Sequence, residues 1–156
     1  VVRACDRWLG TPWRAGQRVR GVGVDCVQFV AAVWDDLAGT RTEVPRAPQD
    51  SGSHAGGAVN AAGTLAALHR VHGVDQLTPA GDGTLEVEAG DLLVLAFVPG
   101  GGPGHAAIVG ARPHIYHAAA RDRVRRISPP PGAPVLHAYR PRNRDTWEQR
   151  FAEGAA

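Results

Sequence analysis

The chain of 156 residues contains no lysine, and all 17 of its basic side chains are arginine. A Walker-type phosphate loop requires a lysine, so that class of nucleotide site is excluded. Methionine is absent too, and there are two cysteines, Cys5 and Cys26. Two cysteines make no disulfide framework, although a Cys5–Cys26 bridge stays open. Neither a Cys-x-x-Cys pair nor Cys/His zinc spacing occurs, so no metal or other cofactor is implied. The longest apolar run, DLLVLAFV, is strand-sized and far short of the ~20 residues that cross a bilayer, so no membrane span is expected. VVRACDRW, at the start, shows no charged segment leading into an apolar one, and no signal peptide is visible in this sequence. The formal charge is only +2, too small to argue for nucleic acid as a partner.

What is present suits one packed domain: 44% hydrophobic and 21% charged residues. Apolar residues first recur at helical spacing and then alternate in short runs. A first helix is expected over about residues 1–9, ended by Gly10-Thr11-Pro12, with Cys5 on its apolar stripe beside Val1, Val2, Trp8 and Leu9. TPWRAGQRVRGVGV reads as irregular. Val27, Val30, Val33, Trp34 and Leu37 then mark a second helix that stops at Gly39. Residues 40–57 read as a surface loop, and a third helix is expected from about Val59 to His72, with Ala62, Leu65, Leu68 and Val71 on its buried face. From residue 85 the runs LEVEAGDLLVLAFV, HAAIVGA, HIYHA, RVRRIS and VLHAYR read as strands. PGGGPG before His105 reads as a surface turn. Helices followed by an antiparallel sheet predict an α+β fold, with a domain over residues 1–142 and a polar tail over 143–156.

Two places carry chemistry. Asp25 is a suitable N-cap for the second helix, with Gln28 three residues on as in a capping box. Cys26 is then the first helical residue, where free N–H groups and the helix dipole favour a thiolate while burial opposes it. A nucleophilic cysteine needs a base. Of seven histidines, His54 falls in the loop. His69 and His72 suit a helix C-terminus, and His114 and His137 read as strand residues without a partner. His105 and His117 are different. A three-residue loop at Gly110–Arg112 would pair Val109 with Pro113, Ala107 with Ile115 and His105 with His117. Both imidazoles then share one sheet face, with Cβ atoms ~4.5–5.5 Å apart. Cys26 as nucleophile, His105 as base and His117 as orienting residue make a set suited to acyl transfer.

These pieces resemble the NlpC/p60 family of papain-like cysteine peptidases. RWLGTPWRAGQ is similar to the family's opening segment, GVDCVQFVAAVWDDL to its nucleophile helix and AGDLLVLAF to its Gly-Asp strand. HAAIVG and IYHAA are similar to the strands of the base and the third residue. The resemblance implies a papain-like fold with the nucleophile helix packed on a small antiparallel sheet. It also implies hydrolysis of an amide in peptidoglycan stem peptides, typically γ-D-glutamyl to diaminopimelate, at the cell envelope. By position, Cys26, His105 and His117 are the catalytic residues, and Asp25, Trp13 and Val27 line the substrate site. Trp13 stands where the family often has Tyr. Val27 replaces the Ser that helps to hold the substrate's amino end. FVAAVWDDLAG is similar to the phage tail-associated branch, which implies particle proteins as partners. Other thiol acyl hydrolases or acyltransferases, and a non-catalytic tail or envelope component, are the alternatives on the same fold.

Overall fold

The computed structural model describes residues 1–45, 55–96, 104–129 and 135–147. Helix α1 (Val2–Asp6) is shorter than its apolar stripe predicts, because the chain passes into turns and reaches Gly10 at φ 81°. Ala4 and Cys5 are fully buried, whereas Leu9 is exposed. Cys5 and Cys26 are both free thiols, so the bridge left open by the sequence is not made.

The stretch read as irregular contains a small antiparallel hairpin, β1 (Arg18–Val19) and β2 (Gly23–Val24), which turns through Gly21 at φ 77°. Gly23 lies under the Arg14 side chain, where a Cβ would come within 2.6 Å of Arg14 Cδ. The hairpin leads directly into α2 (Cys26–Ala38), which ends at Gly39 in the left-handed conformation. Phe29, Val30, Val33, Trp34 and Leu37 of α2 are at most 1% exposed. Burial on that scale stabilises by about 1.5–3 kcal/mol per side chain, which makes α2 the centre of the core. The Trp34 indole N–H is satisfied by Gly90 O at 3.0 Å.

A polar network also anchors α2. Asp35, 4% exposed, binds Arg18 and accepts from the Thr42 N–H at 2.6 Å and the hydroxyls of Thr40 and Thr42. His72 Nε2 lies 3.2 Å from the same carboxylate. Burial alone would push the Asp35 carboxyl up, but the bonds from His72, Thr42, Arg18 and Thr40 outweigh it and hold the group well below the usual range. His72 is therefore a buried network residue and not one at an exposed helix end. Its burial also turns helix α3 (Ala55–His72). Thr64, Ala67, Leu68 and His72 are buried, while Val71, expected on that face, is exposed. The helix starts before the expected Val59, and the middle of the 40–57 loop, residues 46–54, lies outside the described residues.

The remaining strands form one antiparallel sheet in the order β3-β8-β4-β5-β6-β7. They are β3 (Val74–Leu77), β4 (Leu92–Leu95), β5 (His105–Val109), β6 (Ile115–Ala118), β7 (Val124–Ile127) and β8 (Val135–Pro141). β3 is too short and polar to stand out in the sequence. LEVEAG, in contrast, is not strand: the chain turns at Gly90 (φ 103°), where Asp91 accepts the Glu88 N–H. A Cβ at Gly90 would lie 3.1 Å from Trp147 and 3.2 Å from Val1. Trp147, 2% exposed, packs on Trp34, so the chain is built into the core up to that residue. Residues 99–103 of the glycine run and 148–156 of the tail lie outside the described residues.

Helices α1 and α2 cover one sheet face through Leu92, Ile108, Tyr116, Ala118 and Val124. Leu93, Leu95, Ala107, Val109, Ile115 and Ala138 form a second cluster on the other face, flanked by Leu85 and Val87.

Candidate active site

Asp25 caps α2 as its position predicts. One carboxylate oxygen accepts from Val27 N at 3.1 Å and Gln28 N at 2.8 Å, and the other accepts from Gly16 N at 2.7 Å. Such a cap is worth about 1 kcal/mol, and the third bond ties the loop before β1 to the helix start. Burial raises the Asp25 carboxyl despite these three donors.

Cys26 is the first residue of α2 and is partly exposed. The backbone N–H groups of Ala106 and, at the helix start, of Val27 and Cys26 act on its sulfur in favour of the anion. The Ala106 contact is the tertiary link of the site, since it sets the thiol against β5 one residue from His105. These donors favour a thiolate, yet desolvation is larger and the Asp25 carboxylate adds to it, so the thiol is pushed up to about 11. The resting group is a neutral thiol, and the helix start does not by itself make it an anion.

His105 and His117 are both buried and in direct contact. His105 Nε2 lies 2.7 Å from His117 Nδ1, with the rings perpendicular and their centroids 4.9 Å apart. The route to this contact differs from the expected one. Ala107, not His105, stands opposite His117, and Val109 pairs with Ile115. The connection is longer than three residues: Gly110 N bonds His114 O, and the Arg112–Pro113 peptide inside it is cis. His114 therefore belongs to the connection and not to a strand. The register is displaced by two residues, which preserves side-chain parity. The histidines become diagonal neighbours on one face, a separation that imidazole rings span.

Burial, and then the neighbouring His117, hold the His105 imidazole down at about 3. His117 is also lowered, by burial and then Arg125, against the opposing pull of Asp122. Two neutral rings at 2.7 Å share one proton-donating nitrogen between them. With Nε2 of His105 committed to His117, exchange with a thiol falls to Nδ1.

Trp13 is brought between the two halves of the site. It forms a bridge with Val24, two residues before Cys26, and donates its backbone N–H to Asp122 O at 2.8 Å in the turn after β6. Val27 is partly exposed on the first turn of α2 beside the thiol. Ala106, Asp122 and Arg125 escape a reading of sequence. Ala106 acts through its backbone, and the two charges meet His117 only once the β6–β7 register is known. Among the described residues no cluster of His, Cys, Asp and Glu could hold a metal ion, and no helix is long and apolar enough to cross a membrane.

No protein-family model matches the chain, and neither does any curated protein. Solved structures do. The NlpC/p60 domain of the peptidoglycan hydrolase SagA is 23% identical with a TM-score of 0.50, over 81% of this chain and 85% of that one. NlpC1 from Trichomonas vaginalis is 15% identical with a TM-score of 0.54, over 87% of this chain and 42% of that one. A lipoprotein-like NLP/P60 family protein from Staphylococcus aureus subsp. aureus Mu50 is 20% identical with a TM-score of 0.51, over 88% of this chain and 39% of that one. The chain thus spans less than half of the latter two proteins. At these identities the likeness is one of fold alone. The chain has the papain-like α+β fold of NlpC/p60 domains.

Proposed function

We propose that the protein is a cysteine peptidase that hydrolyses an amide bond in bacterial peptidoglycan stem peptides, the γ-D-glutamyl-diaminopimelate bond being the expected target. The observation that carries this reading is the His105–His117 contact beside the strand position where the Cys26 sulfur meets the Ala106 N–H. Fold analogy with a peptidoglycan hydrolase domain supplies the substrate class.

In this mechanism the Cys26 sulfur attacks the amide carbonyl carbon while its proton passes to Nδ1 of His105. His117 Nδ1 accepts from His105 Nε2–H, which keeps the proton-accepting nitrogen of the base directed at the thiol. Because Asp25 occupies the Val27 and Gln28 N–H groups, the Cys26 N–H is the helix-start donor for the oxyanion. Collapse breaks the C–N bond, and the leaving amine takes the proton from His105. Water then adds to the thioester, giving its proton to His105. Expulsion of the sulfur releases the acid and restores the thiol. Trp13 and Val27 line the mouth of this site, and Val27 offers the substrate's amino end no hydroxyl. The protein acts at the cell envelope as a single domain over residues 1–142, with packing continued to Trp147. A tail-particle setting rests on the FVAAVWDDLAG likeness alone.

The test is digestion of purified peptidoglycan by the protein and by Cys26→Ala, with released fragments identified by mass spectrometry. Fragments cut within the stem peptide, and absent with Cys26→Ala, are expected. No Cys26-dependent release would overturn the reading.

A further inference from the structure

The turn after β6 sets two opposite charges beside His117. Arg125 stands directly across from His117 in the β6–β7 register, and its Nε lies 2.5 Å from Asp122 Oδ2. Asp122 also pairs with Arg123 Nε at 3.2 Å, and its carbonyl holds the Trp13 N–H at 2.8 Å. Among the described residues, His117 therefore faces His105 from β5, Arg125 from β7 and Asp122 in the turn, with Arg123 joined to Asp122. The Cys26 thiol approaches from α2 at Ala106.

Only a neutral His117 lets Nδ1 of His105 act as the base. A neutral His117 with an unprotonated Nδ1 accepts from His105 Nε2–H and leaves Nδ1 of His105 as the base. A protonated His117 donates to His105 Nε2 instead. His105 then carries its proton on Nδ1 and cannot take one from the thiol. A cation opposite His117 disfavours the second state, and a carboxylate favours it.

We propose that the Asp122–Arg125 ion pair is a positioning device that selects the working tautomer of His105 through the charge of His117. Burial disfavours the charged form of His117, Arg125 adds to that, and Asp122 holds the guanidinium in place while moderating its field. The inference rests on the reading of His117 as the third residue of the site.

The experiment is an NMR titration of the histidine ring protons in the intact, substrate-free protein, with His117 assigned from the signal lost in His117→Gln. Asp122→Asn leaves Arg125 unopposed and should shift the His117 midpoint to lower pH. Arg125→Gln leaves the carboxylate and should shift it to higher pH. The double variant and Arg125→Lys should both titrate close to the parent. A structural role alone would not give opposite shifts that cancel when combined. Midpoints that do not move, or that move the same way in both single variants, overturn the proposal. In an active protein the acid limb of kcat/KM should follow the same order. The titration needs no substrate, so inactivity on peptidoglycan with midpoints moving as stated would count against the peptidase and leave this coupling standing.

Discussion

His105 Nε2 and His117 Nδ1 meet at 2.7 Å although the two residues are not paired across their strands. Pairing places Ala107 opposite His117, and the contact is made on the diagonal. The rings commit one nitrogen of each histidine, which leaves the chemistry of His105 to its other nitrogen. The consequences can be tested separately.

Removing the base should cost more than removing its partner. His105→Ala is expected to lower kcat by about 10²–10⁴-fold, the usual contribution of a positioned general base. His117→Ala should cost less, because the base survives and only its tautomer and orientation are freed. Steady-state kinetics on a stem-peptide substrate check the order, and equal losses would argue against a positioning role for His117.

Cys26 should be slow to alkylate at neutral pH. Its thiol is pushed up to about 11 by burial, so the rate with iodoacetamide is expected to climb through the alkaline range. At pH 7 it should lie below that of a free thiol. A plateau already reached near neutrality would show a preformed thiolate. Cys5, fully buried and with its thiol raised to about 12, should not contribute.

Acid stability should depend on His105. Its folded-state value is held at about 3, below the 6.5 of an unperturbed imidazole. Below 6.5 the unfolded chain gains a proton that the folded protein refuses, so the contribution is whole above that pH. It is lost as pH falls and exhausted near about 3. Denaturant unfolding of the parent and His105→Gln across this window should give a shallower decline for the variant.

The Asp35 network should be the polar site most costly to break. Asp35→Ala leaves the buried Thr42 N–H without its acceptor and removes the carboxylate that the His72 ring and Arg18 share. Loss of about 3–5 kcal/mol is expected, as for one member of a buried ion pair. The shift of the urea midpoint at an unchanged m-value measures it. A change below about 1 kcal/mol would mean that water reaches the network.

Sequence pattern determined much of this molecule by itself. Asp25, Cys26 and the apolar repeat up to Gly39 specify a capped helix through short-range bonds, and that helix forms where expected. Side-chain alternation determined that His105 and His117 share a sheet face, because parity survives a two-residue error in register. Tertiary structure decided the register itself, since it depends on how the 110–114 connection closes. It also decided that His72 is buried and Val71 exposed, because the Asp35 cluster joins residues far apart in the chain. The charge state of the site belongs to the same class. A helix start favours a thiolate, but how far burial opposes it is set by the tertiary packing around the sulfur, which no local motif records.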